Sequence, residues 1–121
     1  MRVIHSYTRE QALADGVLVD VTKLASEAGF RYPTAVTSTV WGQYIEVPEG
    51  VSCQDETGRL WDILWMLHFH IRLAKSLHSE TFFQLHVCNT DETAELVTLK
   101  AHCGPGDDGE PVITIMLPVE D

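Results

Sequence analysis

Residues 58–78 read GRLWDILWMLHFHIRLAKSLH and carry the longest apolar pattern of helical period in the chain. Apolar side chains recur three and four residues apart, at Leu60, Ile63, Leu64, Leu67, Ile71 and Ala74. Further apolar residues widen this stripe to about half of the helix circumference, and helices of this kind usually lie at the centre of a fold. The stretch therefore predicts a long central helix in which Leu64 and Trp65 are both buried.

Residues 81–118 follow a different pattern, in which apolar and polar side chains alternate. The alternation is visible in TFFQLHVC (81–88), ELVTLKAHC (95–103) and PVITIML (111–117). Period-two alternation with short connections is typical of antiparallel strands that have one face in solvent. The second connection contains an Asp108-Gly109 pair, which favours a tight hairpin turn. We predict a three-stranded antiparallel meander.

The segments before the long helix carry local signals for short helices. Thr8 and Gln11 have the spacing of a capping box, and Asp20 is a suitable N-terminal cap for a second helix. After Pro33, the apolar spacing in residues 34–47 favours a third helix, although the β-branched residues there are also compatible with a strand. The predicted fold is therefore α+β: a helical N-terminal two-thirds with one long central helix, packed on a C-terminal three-stranded antiparallel meander.

The length and charge of the chain limit its function. Its 121 residues fit one domain, residues 1–121. Acids outnumber bases 18 to 8, which gives a formal charge of −10. This charge argues against direct binding to nucleic acid or to anionic membranes, and it favours a basic protein surface as the partner. No apolar run has the length of a signal peptide or a membrane span, and three cysteines without an export signal favour the cytoplasm.

The acids are concentrated in the last quarter of the chain. From Asp91 onward there are eight acids and one base, a balance of −7. Six of these acids lie on the two predicted turns: Asp91, Glu92, Glu95, Asp107, Asp108 and Glu110. Two interpretations remain open. Either the turns form an ordinary solvated surface, or they imitate the phosphates of nucleic acid and occupy a basic channel on another protein.

The side of the long helix opposite the apolar stripe is a second candidate contact surface. We call it the aromatic face and define it by Trp61, Trp65, Phe69 and Arg72. Trp and Arg are among the residue types most enriched at the energetic centres of protein interfaces. A protein-binding role requires these side chains to reach solvent. The alternative is that the N-terminal helices cover them, so that the long helix is buried on all sides.

Histidines and a cysteine raise the alternative of a small enzyme or a metal-dependent hydrolase. His86, Cys88 and His102 project from one face of the predicted sheet, where they could act together. The close-spaced ligand pairs of a zinc site are absent from the sequence, and His68 and His70 lie about 200° apart on a helix. We therefore predict no metal, no cofactor and no catalytic residue, and the enzyme hypothesis stays open as the alternative.

Three segments, taken together, resemble a group of proteins. They are SYTREQALADGVLVDVT (6–22), DETGRLWDILWM (55–66) and CGPGDDGEPVITIMLPVED (103–121). They are similar to an uncharacterised family of small proteins encoded on bacterial plasmids, conjugative elements and phages. The resemblance implies a one-domain accessory protein and assigns no catalytic residue. It leads us to expect a non-enzymatic acidic binding protein, an inhibitor of a host defence nuclease complex of the anti-CRISPR or anti-restriction type. A structural accessory protein is a further alternative.

Overall fold

A computed structural model describes residues 7–52, 54–74 and 79–120 of the protein. Its strands form one mixed sheet with the order β1-β2-β5-β4-β3, in which β2 and β5 are parallel and the other neighbours are antiparallel. Among the helices of these ranges, none is both long enough and apolar enough to cross a membrane. In chain order the elements are α1 (Arg9–Ala14), β1 (Leu18–Asp20), α2 (Thr22–Glu27), β2 (Thr34–Thr37), α3 (Ser38–Val40), a π-helical turn (Trp41–Ile45), α4 (Glu56–Ala74), β3 (Glu80–Val87), β4 (Glu95–Pro105) and β5 (Pro111–Met116).

The predicted architecture, a helical N-terminal two-thirds on a three-stranded meander, is wrong. The three C-terminal strands are present as β3, β4 and β5, but β1 and β2 extend the sheet to five strands. Residues 34–37 form a strand rather than the start of a helix, and all four side chains are buried. A strand that is covered on both faces shows no alternation of apolar and polar residues. Strand β1 has three residues, which are too few to reveal a period.

The capping box at the start of α1 is confirmed, but the expectation that Asp20 is the N-cap of α2 is wrong, because Val21 occupies that position and Asp20 lies one residue earlier. The Thr8 hydroxyl accepts a hydrogen bond from the Gln11 N–H at 3.0 Å, and the Gln11 side chain accepts one from the Thr8 N–H at 2.9 Å. This reciprocal capping box starts α1. The Asp20 carboxylate accepts a hydrogen bond from the Thr22 N–H at 3.0 Å, and it therefore satisfies a donor that the first turn of α2 leaves without a helical acceptor.

Helix α4 confirms the longest periodic pattern over residues 58–74, while residues 75–78 lie outside the described part of the chain. Its apolar stripe packs mainly on β3, at the edge of the sheet. Leu64 is fully buried as expected, but Trp65 is 47% exposed, so the expectation of a buried Trp65 is wrong. The reason is the position of α4, because a helix at the edge of a sheet is covered on one side and leaves the other in solvent. The buried residues of the stripe are Leu60, Ile63, Leu64 and Leu67.

Leu64→Ala tests the role of the α4 stripe in the core. Leu64 has no exposed surface, so its truncation removes packed methyl groups and leaves a cavity. We expect the free energy of unfolding to fall by about 2–5 kcal/mol, measured by chemical denaturation. Leu73→Ala on the same helix is the matched control, because Leu73 is 68% exposed and its truncation should change stability by about 0.5 kcal/mol at most. Equal losses for the two variants would contradict this assignment of the core.

Candidate functional site

The outer side of α4 exposes a band of large apolar side chains. Phe69 is 50% exposed, which is close to the value for Trp65, and Leu73 is exposed more fully. Phe82 on β3 and Leu96 on β4 are also about half exposed. The N-terminal helices leave these side chains uncovered. The aromatic face therefore reaches solvent, which is the condition that a protein-binding role requires.

Two shallow grooves follow the outer edge of β3, which among the described strands pairs only with β4. One groove has a volume of about 400 Å³ and Trp65 in its wall. The other has a volume of about 370 Å³ and is walled by Phe69 and Leu73. Met66 and Gln84 line both grooves, so the two form one continuous strip between α4 and the edge of the sheet.

A ladder of stacked rings fixes the orientation of Trp65. The Trp61 and Trp65 rings stack with centroids 6.1 Å apart, and the Trp65 and His68 rings stack at 5.8 Å. His68 also meets the edge of Phe30, which follows α2. Gly29 lets the chain pass this close, since a Cβ atom there would lie 3.1 Å from the His68 Nε2. The exposed ring is held before any partner binds, which lowers the entropy that binding would cost.

A buried arginine organises the N-terminal end of α4. The Arg59 guanidinium donates hydrogen bonds to the carbonyl oxygens of Tyr44 at 3.0 Å and Cys88 at 2.8 Å. It also donates to the side-chain oxygens of Gln54 at 2.7 Å and Asn89 at 2.5 Å. These acceptors are neutral and lie in the π-helical turn, the loop before α4 and the segment after β3. Arg59 therefore ties α4 to the connection between β3 and β4, beside a cavity of about 730 Å³.

The structure separates the three residues of the enzyme hypothesis. His86 and Cys88 line the cavity beside Arg59. His86 on β3 pairs with Leu96 on β4, whereas His102 on β4 pairs with Glu80 on β3. His102 is six residues beyond Leu96 along β4, which places it roughly 20 Å from His86. His102 therefore does not join the other two in one site. The described part of the chain contains no cluster of three or more His, Cys, Asp or Glu side chains that could hold a metal ion.

The six acids of the two turns are exposed, but the structure divides them into two groups. One group lies in and beside the connection between β3 and β4, and the other lies between β4 and β5. These connections are at opposite ends of β4, an 11-residue strand, and are therefore roughly 30 Å apart. We call them the first acidic turn (Asp91, Glu92 and Glu95) and the second acidic turn (Asp107, Asp108 and Glu110).

One acid of the second acidic turn has a structural role. The Asp107 carboxylate accepts hydrogen bonds from the N–H groups of Arg9 and Glu10, each at 2.9 Å, and so holds the start of α1. These two N–H donors, that of Arg9 first, lower the pKa of Asp107. The Arg9 side chain completes the link to the sheet, since it donates to the Thr114 hydroxyl at 2.7 Å and to the Ile113 carbonyl at 3.0 Å.

Among the described residues, half of the basic side chains are buried or half-buried, whereas nearly all of the acidic side chains are exposed. Among the described residues, Arg59 and Lys100 are buried and Arg9 is half-buried, which leaves three of six bases exposed. The Lys100 ammonium donates to the Glu120 carbonyl oxygen at 2.5 Å and lies 3.8 Å from the Glu80 carboxylate. By contrast, 16 of the 17 acids in the same ranges are exposed. The surface is therefore more acidic than the sequence total indicates.

The sequence interpretation missed Phe82, Leu96 and Arg59 as parts of this region. A signal for the first two was present, because each stands next to another apolar residue at the start of its strand. Adjacent residues in a strand point to opposite faces, so one member of Phe82-Phe83 and of Leu96-Val97 must lie on the outer face of the sheet. Arg59 gave no such signal, since its acceptors are carbonyl and amide groups that are distant along the chain.

Comparison with known proteins gives one result. Residues 1–121 match the sequence model of a family described as "Family of unknown function (DUF6573)". No curated protein and no solved structure matches the chain. The geometry of the surfaces themselves therefore carries the functional argument.

Arg59→Lys tests the tie at the N-terminal end of α4. A lysine ammonium has three donors where the guanidinium reaches four acceptors, so at least one of these acceptors loses its hydrogen bond to residue 59. We expect the free energy of unfolding to fall by about 2 kcal/mol, measured by chemical denaturation. Arg31→Lys is the control, because Arg31 is exposed. Unchanged stability in Arg59→Lys would contradict the structural role of the guanidinium.

Asp107→Asn tests the link between the second acidic turn and α1. Because the pKa of Asp107 is lower in the folded state than in the unfolded state, the charged carboxylate stabilises the fold above its unfolded pKa. That stabilisation is lost as the pH falls through the folded pKa. We expect Asp107→Asn to be less stable than the parent protein at pH 7, and the difference to shrink in acid, measured by urea denaturation across a pH series. Asp108→Asn is the control, and a pH-independent difference for Asp107→Asn would contradict the role of the charge.

Proposed function

The chain belongs to the DUF6573 family, whose function is unknown, and we propose that it is a non-enzymatic cytoplasmic binding protein whose acidic surface engages a basic surface of another protein. The observation that carries this proposal is the arrangement of charges. Buried Arg59 and Lys100 and half-buried Arg9 take three bases away from the surface, while nearly all of the acids remain there. Such a surface attracts cationic partners over a distance and repels nucleic acid.

The two acidic turns are the proposed contact points. Their acids lie in or beside the connections at the two ends of the sheet and are exposed, and Arg59 holds the first acidic turn in place through Cys88 and Asn89. Asp107 remains ionised over a wider pH range than a free carboxylate, because its pKa is lowered. Hydrogen bonds therefore tie both turns to neighbouring elements, which supports a defined charge pattern over a diffuse one.

We further propose that the partner is a nucleic-acid-binding protein of a host defence complex, which the chain inhibits by occupying a basic channel. The charge of −10 supports this class of partner, since a channel that binds phosphates is lined by cations. We propose with it that the family is encoded on plasmids, conjugative elements and phages, an origin that an anti-CRISPR or anti-restriction role would fit. An inhibitor of this type competes directly with nucleic acid.

The test uses the protein that co-purifies with the chain from its native host, with binding measured by surface plasmon resonance at low and high salt. Glu92→Lys combined with Asp108→Lys reverses one acid on each turn and leaves the Asp107 link intact. We expect association to slow by about tenfold at low salt with little change in dissociation, because exposed charges act mainly on the encounter rate. High salt should weaken binding of the parent protein, and nucleic acid should compete with it.

The control for this test is Glu27→Lys combined with Glu49→Lys. Both residues are exposed, and the pair changes the net charge by the same amount at sites away from the turns. Equal slowing by both pairs would contradict the assignment of the two turns. An affinity that does not depend on salt, or that nucleic acid leaves unchanged, would contradict the binding of a basic channel.

A further inference from the structure

Four exposed residues of α4 are arranged symmetrically along the helix. Asp62, Trp65, Phe69 and Arg72 are separated by three, four and three residues, and all four are exposed. At 100° per residue they fall within an arc of about 80°, on the side opposite the buried stripe. Opposite charges occupy the two ends of the set, and aromatic rings occupy its middle. When a second copy of this helix runs in the opposite direction, the acid of each copy therefore faces the base of the other, and the aromatic rings face each other.

From this arrangement we propose that the outer face of α4 binds a second copy of the chain in a two-fold dimer, with the two α4 helices antiparallel. In that arrangement Asp62 lies opposite Arg72 of the partner subunit, and Trp65 lies opposite Phe69 of the partner subunit. The two-fold axis repeats each contact, which is the property of an isologous interface. The four residues span about 15 Å, a length over which antiparallel helices that cross at about 20° stay in contact.

The apolar content of this face supports the dimer. Trp65 and Phe69 are each about half exposed, and Leu73 and Phe82 extend the apolar surface beside them. The stacked ladder holds Trp65 in one orientation, so its ring is preorganised for contact. Large aromatic side chains at the centre of a patch, with charged residues at its ends, match the usual composition of a protein interface.

The charges of this face favour a second copy over a basic partner. The face carries one acid and one base, in a chain whose net charge is −10. A basic surface would be attracted by Asp62 and repelled by Arg72, whereas a reversed copy satisfies both. Partial desolvation by the neighbouring side chains raises the pKa of Asp62, and within the described residues its carboxylate makes no ion pair or hydrogen bond. An arginine from the partner subunit would supply that missing contact.

The dimer would also bring together acids that are separated in one chain. Helix α4 runs from the end of the sheet that carries the first acidic turn, where Arg59 contacts Asn89, towards the end that carries the second. An antiparallel copy reverses this direction, so each end of the dimer carries the first acidic turn of one copy and the second acidic turn of the other. This consequence rests on the proposed function, but the interface itself does not.

The test is the oligomeric state of the full chain, measured by sedimentation equilibrium over a series of concentrations. We expect a monomer–dimer equilibrium for the parent protein. Asp62→Arg and Arg72→Asp each create two like-charge contacts, so each should raise the dimer dissociation constant by about tenfold or more. The double variant, Asp62→Arg with Arg72→Asp, restores opposite charges with their positions exchanged and should return to within about threefold of the parent value.

Two further variants make the result specific. Trp65→Ala combined with Phe69→Ala should give monomer, and circular dichroism checks that the fold is kept, since both residues lie outside the core. Glu27→Arg on α2 is the charge-reversal control and should leave the dimer unchanged. A monomer at all concentrations, or a double variant that fails to recover, would overturn the proposal. A monomer that still binds a basic partner leaves the proposed function standing, whereas a dimer without salt-dependent binding contradicts that function alone.

Discussion

The packing of one side of α4 on the edge strand β3 determines the rest of the structure. Ile63, Leu64 and Leu67 are buried in this contact, and they close the core at the edge where the sheet would otherwise end. The same position leaves the opposite side of the helix without cover. Exposure of Trp65 and Phe69 is therefore a direct result of where the core lies, because within the described residues no strand lies beyond β3 in the sheet to cover them.

Local and periodic signals predicted the elements that they could describe. The signals for strands β3, β4 and β5, for helix α4 and for the Thr8 cap all come from residues close in sequence, and all of these elements are present, although burial alternates strictly only along β3. The pairing of β2 with β5, by contrast, depends on residues that are far apart in sequence. Thr34 lies beside Ile113, so the two strands meet across most of the chain, and a buried strand has no polar face to reveal its period. Sequence reasoning therefore recognised the C-terminal half of the sheet and assigned β2 to a helix.

The candidate surfaces could be predicted as sets of residues, but their exposure and grouping could not. Helical periodicity places Trp61, Trp65 and Phe69 on one side of α4, although it does not say whether another element covers that side. The sequence also shows the concentration of acids near the C-terminus. The separation of these acids into two turns depends on the length of β4 and on which connection each acid occupies. Asp107 illustrates the limit, since its carboxylate binds backbone donors 97 and 98 residues away in the sequence.

The two edges of the sheet are unequal, and this bears on how far association can proceed. Edge strand β3 has eight residues, whereas β1, at the other edge, has three and ends at Asp20. Open-ended growth of sheets into fibres requires two complementary edges, each long enough to continue the hydrogen-bond ladder. A three-residue edge that ends in a charged side chain offers little to such a ladder. The proposed two-fold contact at the α4 side would be closed after two copies because both copies use the same surface, and the short β1 edge gives the sheet no long second edge along which to grow into fibres.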